Sequence, residues 1–152
     1  MEEARGGFVL DCSVTMAWCF VDEATASTDG VRDRLAEVRA VVPTIWPLEV
    51  ANAAIVGERR QRLDEARRFR IFSLLDSLPI VVDDGPIGRA FGEIPHLCRA
   101  HNLPAYDAAY LELAMRLGLP LACLDNKPKA AVTAVGVPRF APGGTGGLPT
   151  GD

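Results

Sequence analysis

A chain of 152 residues has room for one domain that buries its own core without a disulfide or a structural metal. Hydrophobic residues make up 49% and charged residues 24%, ordinary usage for a soluble globular protein, and no apolar run approaches the roughly 18 residues of a membrane span. The formal net charge of −4 argues against a generally basic nucleic-acid binder, and the acidic start Met1-Glu2-Glu3 is unlike a secretory signal, so a cytoplasmic protein with no membrane partner is expected.

The first expected element is a buried strand over FVLD (8–11), a short apolar run closed by an acid. Ser13 stands where it can cap a helix over VTMAWCF. A second helical stretch, 24–39, sets Val31, Leu35 and Val38 on one face. AVVPTI (40–45) reads as a strand, and Pro47 then opens the helix PLEVANAAIVGERR, a proline losing nothing where the backbone N–H has no partner. Glu49 falls in that helix's first turn. Residues 64–78 form a further helix with Phe69, Phe72, Leu75 and Leu78 inward, and PIVVDD (79–84) is a third strand.

A helical stretch over 87–101 is interrupted by Pro95. Next come a helix over about 104–117, a Gly118 stop, and the strand LACLD (121–125). A short helix over 127–135 and a closing strand VPRF (137–140) complete a domain of residues 1–140. APGGTGGLPTGD (141–152) has no hydrophobic period and reads as a disordered tail. Strands alternating with helices imply an α/β domain with a central, mainly parallel sheet of about five strands.

Cys12, Cys19, Cys98 and Cys123 form no C-x-x-C pair and read as small apolar residues, and His96 and His101 lack the i, i+4 spacing of a zinc-binding helix. Six arginines crowd into ERRQRLDEARRFR (58–70), read first as a solvated face with intrahelical pairs to Glu58, Asp64 and Glu65, and second as a ridge for RNA or a protein partner. Trp18 and Trp46 read as core or interface aromatics. Asp83-Asp84 reads as a turn after a strand.

Four acids remain. In a parallel sheet, ligands bind beyond the carboxyl ends of the strands. Asp11 and Asp125 end strands there, Glu49 follows the second strand, and Asp107 opens the helix that leads to Asp125. Each alone is explained by a helix cap, a helix dipole or a strand end. Two carboxylates about 5 Å apart repel by roughly 3 kcal/mol at an effective dielectric near 20, so a group of them calls for a cation. All-oxygen ligands suit Mg²⁺, with Mn²⁺ possible, and such a site is equipped for hydrolysis of phosphodiesters.

The blocks VLDCSV (9–14), PTIWPLEVANA (43–53), YDAAYLELAMRLGLPLACLD (106–125) and GVPRF resemble, in order, those of PIN-domain proteins, specifically the VapC-type toxin ribonucleases. The resemblance implies a three-layer α/β/α fold and a Mg²⁺-dependent endoribonuclease. It assigns metal ligation and catalysis to Asp11, Glu49, Asp107 and Asp125, with support from Ser13 and Asn52. It further implies an RNA substrate, a VapB-like antitoxin and a homodimer. Two positions depart from the family pattern: Cys123 and Pro104 each stand where a hydroxyl residue is usual. The alternatives are a catalytically degenerate partner-binding module and a phosphoaspartate phosphatase or receiver, whose lysine partner could only be Lys127 or Lys129.

Overall fold

Phe8–Leu10, three apolar residues with no exposed atom to spare, form β1 of a computed structural model that describes residues 7–124 and 136–140. Consecutive strand residues point to opposite faces, so a strand buried at every position is covered on both sides. The same holds for β2 (Ala40–Pro43). Between them run α1 (Cys12–Cys19), a single 3₁₀ turn (Val21–Glu23) and α2 (Ala26–Arg34). Then follow α3 (Trp46–Arg59), α4 (Glu65–Ser77), β3 (Ile80–Asp83), α5 (Gly85–Gly88), α6 (Glu93–His101), α7 (Ala105–Leu117) and β4 (Leu121–Ala122).

The sheet is parallel throughout, in the order β3-β2-β1-β4. The α/β class and parallel sheet match the sequence-based expectation, with four strands among the described residues where about five were expected. The expected closing strand is a single parallel bridge from Arg139 to Leu121. Pro138 accepts from the Leu121 N–H at 2.9 Å but has no N–H of its own to extend the ladder. The Phe140 ring stacks on Phe8 at 4.2 Å and closes that side of the core.

Several boundaries move for local reasons. Asp11, not Ser13, caps α1: its carboxylate accepts from the Ser13 N–H at 3.1 Å. The expected 24–39 helix is shorter, because Thr25 and Thr28 form a reciprocal capping box at its start and the chain leaves the helix after Arg34. Val31 and Leu35 are buried as anticipated, with Val38 half-buried. Pro95 does not break α6, since it lies in the first turn, where a missing N–H costs nothing; the break comes earlier, at 89–92. Phe69 is 70% exposed rather than inward, while Leu75 is buried and Phe72 and Leu78 pack on the core from its margin. Gly118 ends α7 in the left-handed region, as expected. The expected helix over 127–135 and the tail over 141–152 lie outside the described residues.

The arginine-rich segment pairs between elements rather than along one helix. Arg68 binds Glu58 across the α3–α4 turn, and Arg62 reaches Asp22 and Glu23 of the 3₁₀ turn. The Arg62 guanidinium lies 4.0 Å above the Phe20 ring. Asp64 caps α4 through the Arg67 N–H. Trp46 and Trp18 use their indole N–H groups internally, to Thr15 and to the Thr28 carbonyl.

A second ionic group ties α5 to α7. Arg116 donates to Glu112, which is only 3% exposed, at 2.9 Å and to Asp83 at 2.7 Å, and Arg89 lies 3.4 Å from Glu112. Asp83 also accepts the Gly85 N–H at 2.7 Å, which is the turn anticipated after β3. A side chain at Gly85 would collide with both Arg116 and Asp83.

Burial pushes the Asp83 carboxyl up, but the Gly85 N–H and the Arg116 guanidinium outweigh it and hold the group below its ordinary value. An acid whose folded value is depressed contributes stability above its unfolded value, near 4, and loses it as pH falls through the folded one. Asp83→Asn should therefore lower stability at neutral pH by about 1 kcal/mol. Urea melts should show the difference shrinking steadily below about pH 4.

Candidate functional site

The connection reverses direction beside β1. After β2 and β3 have been laid on one side, the chain returns through α7 to place β4 on the other. Such a switch point opens a crevice at the carboxyl edge of the sheet. The first residue past β1 in that crevice is Asp11. Its own N–H is bonded to the Ala122 carbonyl of β4 at 3.0 Å, and its side chain caps α1. The Ser13 hydroxyl also donates to Asp11 Oδ2.

Glu49 reaches the same edge by another route. Pro43 ends β2, and α3 starts at Trp46 with a proline in its first turn. The start of α3 is pinned to α1: the buried Trp46 indole donates to Thr15 Oγ1 at 3.1 Å, satisfying a hydroxyl that has no solvent access. Glu49 then stands half-buried one turn into the helix, where negative charge suits the dipole.

Glu49 Oε1 accepts a hydrogen bond of 2.6 Å from the hydroxyl of Tyr110, a residue of α7 that is 2% exposed. Burial, then the bond to Glu49, then the charges of Glu49 and Asp11 all push the Tyr110 phenol far above its ordinary value. The phenol therefore stays protonated and acts as a donor. Glu49 is bonded to Tyr110 directly, and the Asp11 charge acts on the same hydroxyl through space. Sequence reading did not single out Tyr110; its signal was a tyrosine on the apolar face of YDAAYLELA, where a buried hydroxyl must find a partner.

Asp107 is half-buried in the first turn of α7, three residues before Tyr110 and so on the same side of that helix. Pro104 precedes α7 without a side-chain cap. Asn52 is exposed on α3, one turn beyond Glu49. Asp125 lies outside the described residues. Among the described residues, no three acids, cysteines or histidines stand close enough to enclose an ion. The structure thus joins Ser13 to Asp11 and Tyr110 to Glu49, sets Asp107 one turn from Tyr110 along α7, and leaves Asn52 exposed. The thiol at the far end of α1, Cys19, is pushed up to about 11 by burial and is inert near neutral pH.

The acids and hydroxyls of this set supply oxygen donors at the starts of α1, α3 and α7, with the Cys12 thiol also acting on the Tyr110 hydroxyl. Those oxygen donors fit a hard divalent cation.

Comparison with known proteins accords with this fold. The PIN-domain family model matches residues 8–132. PAE2754 from Pyrobaculum aerophilum is similar in structure, with a TM-score of 0.61 at 20% identity over 82% of this chain and 78% of that one. VapC20 (Rv2549c) from Mycobacterium tuberculosis, a sarcin–ricin loop cleaving toxin, is similar with a TM-score of 0.58 at 13% identity, over 88% of this chain and 98% of that one. At these identities the likeness shows the fold. No curated protein matches the sequence.

The capping geometry of Asp11 yields a separation of its two duties. Asn caps a helix as well as Asp does, whereas Ala does not. Asp11→Asn should leave stability nearly unchanged, and Asp11→Ala should cost about 1 kcal/mol in urea melts.

Proposed function

The chain belongs to the PIN-domain family, and we propose that it is a metal-dependent endoribonuclease, the toxin of a toxin–antitoxin pair. PIN domains are generally nucleases that use divalent metals. The observation that supports the reading for this chain is the bond from the buried Tyr110 hydroxyl to Glu49, with Asp11 directly past the carboxyl end of β1.

In this reading Asp11, Glu49, Asp107 and Asp125 hold Mg²⁺ or Mn²⁺, Ser13 steadies Asp11, and Asn52 lends support from the rim. A bound ion supplies Lewis-acid polarisation of a phosphoryl oxygen and a more acidic water. The chain's own contribution is to hold carboxylates together against their repulsion, using three helix N-termini and two hydroxyl donors. The substrate is RNA, and the neighbour that cleaves the sarcin–ricin loop makes ribosomal RNA one class to test.

The partners proposed are a VapB-like antitoxin and a second copy of the chain, acting in the cytoplasm. Large apolar side chains left in water support a protein partner: Phe91 is fully exposed, and Ile87 and Tyr106 are mostly so. The last two line a groove with Pro43, Ile45, Pro86 and Ile94 that runs along the start of α7. Among the described residues, no helix is long and apolar enough to cross a membrane.

A second reading, a degenerate module that only binds a partner, draws support from the lack of a closed three-acid cluster among the described residues. One assay separates the two. Purified protein incubated with tRNA, ribosomal RNA and mRNA should cleave one class in Mg²⁺ or Mn²⁺ and none in excess chelator. Asp11→Asn should abolish cleavage while keeping its melting temperature. Cleavage that persists in chelator would falsify the metal assignment, and silence on every RNA with metal present would favour the binding module.

A further inference from the structure

We infer that Tyr110 is a positioning residue for the proposed metal site, holding the Glu49 carboxylate in its ligating orientation through the hydrogen bond to Oε1. The inference rests on the metal reading above and adds a residue to it.

Three observations carry it. The bond is short, 2.6 Å, and joins residues 61 positions apart, so it is a product of the tertiary fold and not of local geometry. The two helices it joins have different principal neighbours. α3 packs on α1 and α4, whereas α7 packs on α5, α6 and the sheet. The hydroxyl therefore joins two helices that are not each other's main packing partners. Lastly, Asp107 lies on Tyr110's own helix, one turn earlier. The same bond thus registers the helix carrying one proposed ligand against the helix carrying another.

The physical need is plain. Glu49 has three side-chain torsions, and ordering them on ion binding costs free energy. A donor that already fixes one carboxylate oxygen removes part of that cost before the ion arrives. It also withdraws some negative charge from a site where carboxylates repel. Hydrogen-bond partners of metal-binding carboxylates characteristically contribute 10- to 100-fold in affinity. The Ser13 hydroxyl on Asp11 Oδ2 has the same form, although it is local to its own helix turn.

The test is direct titration of Mn²⁺ into the full-length protein by calorimetry, without RNA. Tyr110→Phe keeps the ring that fills the core and removes only the hydroxyl. Its Mn²⁺ dissociation constant should rise by roughly 10- to 100-fold. In cleavage assays the Mn²⁺ concentration for half-maximal rate should rise by the same factor, with the rate recovering at saturating metal. A purely structural role for Tyr110 would lower the melting temperature in chelator without moving the metal affinity.

A second comparison guards against an indirect effect. In a Glu49→Gln background, Tyr110→Phe should add no further loss of Mn²⁺ affinity, because the residue it positions is no longer a charged ligand. Equal Mn²⁺ affinity in wild type and Tyr110→Phe would overturn the inference while leaving the metal reading standing. So would an undiminished effect in the Glu49→Gln background. A wild type that takes up no Mn²⁺ would remove both.

Discussion

Phe8, Val9 and Leu10 have no contact with solvent, and the remainder of the molecule is arranged so that this can be true. A strand so placed needs a paired neighbour on each edge and a helical layer on each face. β2 and β4 supply the edges, and the helices supply the faces. Because the neighbours come from opposite ends of the chain, the direction of winding must change beside β1. The crevice that results lies where the backbone of Asp11 is bonded to that of Ala122. The position of the acidic site is thus a by-product of burying three apolar residues.

Electrostatics decides what can occupy that crevice. Asp11, Glu49 and Asp107 all stand at helix starts, where unpaired N–H groups offer partial positive charge. The protein also compensates its acids with hydroxyl donors and with guanidinium groups. Asp83 and Glu112 take arginines, and their network bolts α5 to α7. One oxygen of the buried Glu112 has no partner among the described residues, a sign that this cluster serves by charge pairing more than by complete hydrogen bonding. Asp83 and Glu112 are held by arginines away from the switch point, whereas Asp11 and Glu49 each accept a hydroxyl hydrogen bond, from Ser13 and Tyr110.

The class of fold was legible because both buried strands are continuous apolar runs and because Gly118 and Pro47 mark helix ends. Asp11 and Glu49 were legible as crevice acids for the same reason: strand ends can be read locally, and the parallel topology then brings them to one edge. What could not be read depended on partners distant in sequence. Tyr110 looked like any core aromatic until its hydroxyl was seen against Glu49. Phe69 has the right helical spacing to face inward, but α4 packs chiefly on α3 and its apolar stripe is only partly covered. The arginine pairs were expected within helices and instead bridge them, because Asp64 is used as a cap and Asp22 and Glu23 come from a turn far earlier in the chain.

The pairing of Val9 with Leu121 has a consequence in time as well as in space. A ribosome making on the order of 5–20 residues per second exposes β1 early and β4 among the last elements. Until then one edge of β1 has no strand beside it, and the crevice lacks a wall. Local helices and the β1–β2 pair can form in the interval, since they close short loops, but the long closure must wait. The crevice is therefore finished by one of the latest of the described strands, and a part-made chain does not carry it whole.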